Sequence, residues 1–179
     1  MMRILDDKEG FTLVELMMVL AIIMILLGIA VLAFSTWSAR YNIEAEIQQI
    51  YGDLAITRTR AMHRNRMHFV QLTAANYTVY EDTNPAPLGD GALTVGLDAV
   101  FMQRIVSHPI SMSLGLGGGL NFDTRGFAAN FGPGQTEAIC VLSTVSPDYD
   151  CIVLSQARIN MGKIVAQGGG CVAANCQLK

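Results

Sequence analysis

Charged side chains are scarce in this sequence. They account for 15% of its 179 residues, whereas ordinary globular chains carry roughly 25%. The net charge at pH 7 is only −3, so composition gives no case for a protein that binds nucleic acid through an overall positive charge.

Motifs for catalysis and for metal or nucleotide binding are also lacking. The sequence contains no G-x-S-x-G, no H-E-x-x-H and no phosphate-binding loop, and its three histidines do not have the spacing of metal ligands. We therefore predict no catalytic residues, no metal and no cofactor. Asp148 and Asp150 are the one pair considered for calcium, but without a full calcium-loop pattern they favour a solvated loop closed by a disulfide.

What the sequence does have is one long apolar run near its start. Leu16 to Phe34 carries no charged residue, and as a helix it would be about 28 Å long, close to the ~30 Å hydrocarbon core of a bilayer. The run is too long for an ordinary secretory signal, although a cut after Ala33 is one alternative and a plain signal anchor is another. Neither alternative explains Glu15, because an ionised side chain inside a membrane helix costs ~2.5–3.5 kcal/mol.

The segment "GFTLVEL", Gly10 to Leu16, resembles the processing site of type IV prepilins and type II secretion pseudopilins. The resemblance implies a leader over residues 1–10, cleavage by a prepilin peptidase between Gly10 and Phe11, and N-methylation of Phe11. It also implies that Glu15 of one subunit meets the Phe11 ammonium of its neighbour in a filament and so fixes the packing register. Pairing of Glu15 within one subunit is the alternative.

The helix is predicted to continue beyond the membrane. Ile43, Ile47, Ile50, Leu54 and Ala61 fall on one face at 100° per residue, with polar residues between them. We therefore predict one helix from about Thr12 to Arg66. Its transmembrane half covers residues 11–34, and its amphipathic, periplasmic half covers residues 35–66. The apolar run has no proline, unlike many major pilins.

Basic residues cluster at the end of this helix, in "TRTRAMHRNRMH". This stretch resembles a segment of the H-type pseudopilins and FimT-like minor pilins, and either a solvated helical face or a phosphate-binding patch would explain it. Further along, "CIVLSQARINMGKI" resembles the same family, with Asn160 where DNA-binding members carry a second Arg. The candidate contacts with DNA or an acidic partner are Arg58, Arg60, Arg64, Arg66, Arg158 and Lys163.

The spacing of apolar residues changes at residue 67 from a helical period to alternation, which predicts a small antiparallel β domain over residues 67–179. The predicted fold is therefore α+β, with the helix packed on one sheet face. "MHFVQL" and "YTVYED" around "TAAN" indicate a hairpin. Later strands are predicted in "FMQRIV", "SMSLGL", "LNFD", "AICVLSTV", "CIVLSQ" and "ARINMGKIV", and "TNPAPLGDG" is predicted to be a loop.

The four cysteines all lie late in the chain, and an even set beyond a membrane segment indicates disulfides in an oxidising compartment. Three pairings are open, and we predict the one that closes the smallest loops, Cys140–Cys151 with Cys171–Cys176. A zinc site is the alternative, but the cysteines have no CxxC spacing and no nearby His.

The resemblance implies a non-enzymatic minor pilin or pseudopilin. Such a protein spans the inner membrane once, with its N-terminus cytoplasmic and its domain periplasmic, before it enters a pilus or pseudopilus. Its partners would be other pilins, the prepilin peptidase, the assembly platform and membrane lipid. The alternatives are a DNA-binding minor pilin of a DNA-uptake system and a membrane-anchored periplasmic enzyme or receptor domain.

Overall fold

The computed structural model describes residues 10–86, 89–113, 119–141, 143–166 and 168–179, without the side chains of residues 31–33. Within these ranges the chain forms a long helix, a set of antiparallel strands and a short 3-10 helix. The elements are α1 (Leu13–Arg64), β1 (His68–Leu72), β2 (Asn76–Glu81), β3 (Ala99–Ile105), β4 (Ile110–Met112), β5 (Gly119–Phe122), β6 (Thr136–Val141), β7 (Cys151–Ser155), β8 (Ile159–Ile164), the 3-10 helix (Ala173–Asn175) and β9 (Cys176–Leu178).

The chain divides into two compact units, Met1–Ser38 and Ala39–Lys179. In the first unit, the large apolar side chains described between Phe11 and Phe34 are exposed. Helix α1 is long and apolar enough in this part to cross a membrane, a property that a signal sequence can share. Most of the predicted leader, residues 1–9, lies outside the described residues.

The second unit buries one face of α1 against two sheets. The strand order is β3-β2-β1-β5 in one sheet and β4-β6-β7-β8-β9 in the other. The helix contributes the five apolar residues that the periodicity predicted, each at most 2% exposed, so that prediction is confirmed. The prediction of a single sheet face is wrong, because Val79 and Leu120 of the first sheet and Ile139 and Ile152 of the second share the same core.

Helix α1 ends earlier than predicted, and the turn that follows it explains why. Asn65 adopts a left-handed backbone (φ 53°), and the N–H of Arg66 donates to the Ala61 carbonyl at 3.2 Å. This is the hydrogen bond of a Schellman cap, which satisfies a free carbonyl of the last turn. The helix therefore ends at Arg64.

The predicted hairpin is confirmed, with Phe69 opposite Tyr80 in the β1–β2 ladder. The predicted strands at 101–106, 120–123, 151–156 and 157–165 correspond to β3, β5, β7 and β8. Three parts of the predicted elements lie outside the described residues. They are residues 114–116 of the strand predicted at 111–116, Leu142 of the strand predicted at 138–145, and residues 87–88 of the predicted loop. Strand β9 was not predicted.

The disulfides join the C-terminal segment to the second sheet. Cys140 bonds to Cys171, and Cys151 bonds to Cys176, so all four cysteines form disulfides as predicted, but the predicted pairing is wrong. Cys140 and Cys151 are opposite each other on β6 and β7, and both reach partners in the C-terminal segment that adds β9 beside β8. Gly162 permits this close packing, because a Cβ there would lie 2.5 Å from the Gln177 carbonyl.

Candidate functional site

Residues 10–15 form the first candidate site. Gly10 is exposed, and Phe11 is 88% exposed. The Glu15 N–H donates to Thr12 Oγ1 at 3.2 Å, while the N–H and hydroxyl of Thr12 each lie 3.5 Å from Glu15 Oε2. This reciprocal arrangement is a capping box, in which Thr12 is the N-cap and Glu15 is the third helical residue.

The capping box gives Glu15 a role within its own chain. A cap of this kind stabilises a helix start by about 0.5–2 kcal/mol, and a carboxylate in the first turn also interacts favourably with the helix dipole. The Thr-x-x-Glu spacing of "TLVE" is the sequence signal for this capping box. This capping role is compatible with a role as partner for another subunit. The 3.5 Å contacts between Thr12 and Glu15 Oε2 are weak hydrogen bonds, and a cation that approaches the carboxylate more closely would replace them.

The basic residues at the end of α1 are the second candidate site, and two of them converge on one carboxylate. Arg60 lies 3.1 Å from Glu81 Oε2, and Arg66 lies 3.6 Å from Glu81 Oε1. The Glu81 side chain is only 11% exposed. Glu81 therefore neutralises one of these two positive charges, which weakens the attraction of the cluster for phosphate.

His68 is the third residue beside the Glu81 carboxylate, after Arg60 and Arg66. It is fully buried, its Nε2 lies 3.7 Å from Glu81 Oε2, and its ring meets that of Phe101 edge-on at 6.2 Å. Burial lowers the pKa of His68, against the opposing effects of its hydrogen bond to the Arg66 backbone and of the Glu81 charge. The histidine is therefore neutral at pH 7.

The remaining candidate contacts differ in their partners and exposure. Arg58 donates to the Ala157 carbonyl at 2.8 Å and so joins α1 to the turn before β8. Because Ala157 directly precedes Arg158, this contact brings the Arg58 guanidinium near the backbone of Arg158. The Arg158 side chain is exposed. Arg64 is also exposed, whereas Lys163 is half-buried. Nothing in this arrangement favours the DNA-binding alternative.

Asp148 and Asp150 have different environments. Asp148 is exposed and pairs with Lys179 at 2.9 Å, and this hydrogen bond lowers its pKa. Asp150 is 2% exposed, accepts a hydrogen bond from the Ile164 N–H at 2.6 Å, and has a pKa that burial raises. One carboxylate therefore serves a surface ion pair and the other an internal backbone contact. Across the described ranges no group of three or more His, Cys, Asp or Glu side chains is placed to hold a metal ion.

Three acidic side chains of α1 anchor the β domain. Glu44 accepts the Asp148 N–H at 2.6 Å, and Glu46 accepts the Ser107 N–H at 2.6 Å and contacts His108 Nδ1 at 2.6 Å. Asp53, further along, accepts the Tyr77 hydroxyl at 2.6 Å. These three acidic residues of the amphipathic half are therefore engaged with the domain itself.

Comparison with known proteins identifies the N-terminal segment. A family model described as the prokaryotic N-terminal methylation motif matches residues 6–31. The motif and a curated relative make the chain similar, in this segment, to the type IV pilin and pseudopilin superfamily. This pilin-like chain is also 34% identical, over 72 residues, to the type II secretion system protein H of Pseudomonas aeruginosa. That match spans 40% of the pilin-like chain and 42% of the relative, less than half of either protein.

Two solved structures are similar to the pilin-like chain at low identity. The type IV minor pilin FimU of Pseudomonas aeruginosa is 12% identical with a TM-score of 0.49, over 75% of this chain and 96% of that one. The minor pseudopilin EpsH of the Vibrio cholerae type 2 secretion system is 11% identical with a TM-score of 0.48, over 68% and 97%. Neither likeness is close enough to bear on function.

Proposed function

We propose that the chain is a minor pilin or pseudopilin, a structural subunit of a type II secretion pseudopilus or a type IV pilus. The observation that carries the proposal is the methylation motif at residues 6–31, together with the exposure of the large apolar side chains described between Phe11 and Phe34. Such a surface needs either lipid or other apolar helices around it. The subunit first lies in the inner membrane and then exchanges lipid for neighbouring helices.

Processing creates the charge that Glu15 requires. A prepilin peptidase cuts between Gly10 and Phe11 and methylates Phe11, so an ammonium group appears four residues before Glu15. In the unassembled subunit the capping box satisfies Glu15. In the filament the Phe11 ammonium of a neighbour replaces the long contact with Thr12, because an opposite charge in a low dielectric is worth far more than a weak hydrogen bond.

The disulfides support a periplasmic position for the β domain, since such bonds persist in oxidising compartments. The N-terminus then faces the cytoplasm, where the peptidase and an assembly platform act. The functional partners are other pilin-like subunits, and the chain itself performs no reaction.

Intact mass of the membrane-extracted protein tests the processing. We expect residues 11–179 with one added methyl group and four fewer hydrogens from the two disulfides. A protein that retains Met1 would exclude the proposal and would favour a membrane-anchored enzyme or receptor domain. A protein that begins beyond Ala33 would exclude it in favour of a cleaved secretory signal.

A pair of variants separates the two roles of Glu15. Glu15→Gln keeps an oxygen for the cap but removes the charge, whereas Thr12→Ala removes the hydroxyl cap but keeps the charge. Once intact mass has shown that both are processed, we expect Glu15→Gln to be excluded from sheared filaments and Thr12→Ala to enter them. If Thr12→Ala is excluded and Glu15→Gln enters, capping alone explains Glu15.

A further inference from the structure

Strand β3 is an unusually open edge of the first sheet. It pairs with β2 on one side, and no strand pairs with its other side among the residues that the structure describes. Two of its apolar side chains are exposed to solvent, Val100 at 57% and Ile105 at 87%. A row of backbone N–H and C=O groups beside exposed apolar side chains is a template for another strand.

The other sheet edges are shorter or covered. Strands β4 and β9 have only three residues each. The outer side of β5 is bridged at Phe122 by Ala128, and the Asn130 amide donates to the Gly119 carbonyl. Proteins commonly protect edges with lysine or proline, but "AVFMQRI" contains neither, and its one cation, Arg104, lies against Asp53.

A β-bulge shapes the groove beside this edge. The register of β2 and β3 shifts between Val79 and Tyr80, which leaves Phe101 as the extra residue of β3. Bulges redirect side chains, and here Phe101 lies under the Arg60 guanidinium at 4.1 Å from its ring centroid. The result is a mainly apolar groove of about 420 Å³ between α1 and β3, lined by Ala55, Ile56, Thr59, Arg60, His63 and Phe101.

A second hollow lies at the other end of the same strand. Ile105 borders it, together with Asn42, Glu46 and Gln49 of α1. Phe101 and Ile105 are about 13 Å apart at ~3.3 Å per residue. A single added strand of about five residues would therefore reach both hollows, with an apolar side chain in the first and a polar one in the second.

We propose that the free edge of β3 is a docking strand for an extended segment of a neighbouring pilin-like subunit. This inference rests on the proposed function, and it assigns the domain surface through which the subunit contacts its neighbour. The backbone of β3 binds the backbone of the segment, and a large apolar side chain of the segment fills the groove at Phe101. A second copy of this chain fits less well. In a symmetrical dimer β3 would pair with β3 of the other copy, and the bulge leaves only Met102–Ile105 as regular strand for that pairing.

Photo-crosslinking in the producing cells tests this assignment. A photoreactive amino acid replaces Gln103, which is exposed on β3, and in the control it replaces Gln177, which is exposed on β9. We expect position 103, but not position 177, to give an adduct with one other pilin-like subunit. The crosslinked sites in that partner should lie within one short extended segment.

Two matched charge variants test the role of the edge. Ile105→Lys places a cation on β3, and Leu178→Lys places one on β9, where Leu178 is 52% exposed. We expect Ile105→Lys to reduce the adduct at position 103 about tenfold, as a tenfold weaker contact would, and Leu178→Lys to leave it unchanged. Both variants should begin at Phe11 and keep their disulfides, which shows that processing and folding are intact.

Several outcomes would overturn the docking strand. These are an adduct only with a second copy of this chain, adducts scattered over a partner's helix, no adduct above the control position, or equal losses in the two lysine variants. None of these outcomes affects the test of Glu15→Gln against Thr12→Ala, so a failure of this inference is distinguishable from a failure of the proposed function.

Discussion

The hydrogen bond between Asp53 and Tyr77 is expected to hold α1 against the first sheet. Asp53 is 7% exposed and Tyr77 is 3% exposed, and the Tyr77 hydroxyl donates to Asp53 Oδ2 at 2.6 Å. Burial and this carboxylate raise the pKa of Tyr77 above its usual value near 10, so the hydroxyl is protonated and donates at neutral pH. Arg104 Nε also contacts Asp53, at 3.3 Å.

The magnitude follows from the burial of the pair. A hydrogen bond to a charged group contributes about 1.5–3 kcal/mol, and a buried group left without its partner costs about 1–3 kcal/mol. The Arg104 side chain is 49% exposed, so solvent screens its contact and we assign it less than about 1 kcal/mol. Tyr77→Phe and Asp53→Leu should each destabilise the domain by about 2–3 kcal/mol.

The two changes together should cost less than the sum of the two alone, because the double variant leaves no buried group unpaired. We expect a coupling energy of about 1.5–3 kcal/mol. The assay is urea unfolding of the full chain in detergent, followed by hydrogen exchange at the β2 and β3 amides, because a helix in detergent would dominate a spectroscopic signal. Tyr80→Phe, on the same strand and 8% exposed, is the control. A coupling below about 0.5 kcal/mol would refute the reasoning.

Two further predictions concern pH and the disulfides. The pKa of His68 is below its usual 6.5 in the folded protein, so the unfolded chain takes up a proton at a higher pH than the folded chain does. Stability should therefore fall as the pH drops below about 7, by no more than about 1.4 kcal/mol per pH unit. In urea unfolding at a series of pH values, His68→Gln should remove this dependence. Trypsin cuts after Arg158 and Lys163, so non-reducing mass spectrometry should find peptides 126–158 and 164–179 joined until they are reduced. Separate peptides would instead indicate the pairing of sequence neighbours.

The elements set by local periodicity could be predicted from the sequence. The buried face of α1 and the β1–β2 hairpin follow from spacing that is visible within a few turns or residues. The end of α1 was predicted two residues late, because the left-handed conformation of Asn65 depends on a capping hydrogen bond that periodicity does not reveal. The capping box at Thr12 and Glu15 is also a local feature, since its Thr-x-x-Glu spacing lies within four residues.

Features set by distant residues could not be predicted. The smallest-loop rule for disulfides concerns chain entropy alone, whereas the observed pairs form because β9 packs beside β8 and brings Cys176 and Cys171 over β7 and β6. The partner of Arg60 and Arg66 is Glu81, which belongs to a strand formed after the helix has ended. Nothing near the arginines in the sequence indicates that this carboxylate faces them.

These distant contacts decide what the domain offers to a partner. A basic cluster attracts nucleic acid only if its charges face solvent and add together, but Glu81 neutralises part of this cluster, and Arg58 is bound to the Ala157 carbonyl. On the same helix, Glu44, Glu46 and Asp53 are engaged by the domain's own loops and strands. Arg64 and Arg158 remain exposed, but with these other charges used internally, the backbone of β3 and its exposed apolar side chains offer a different kind of binding surface. Such groups recognise another polypeptide rather than a phosphate backbone, which favours assembly with protein subunits.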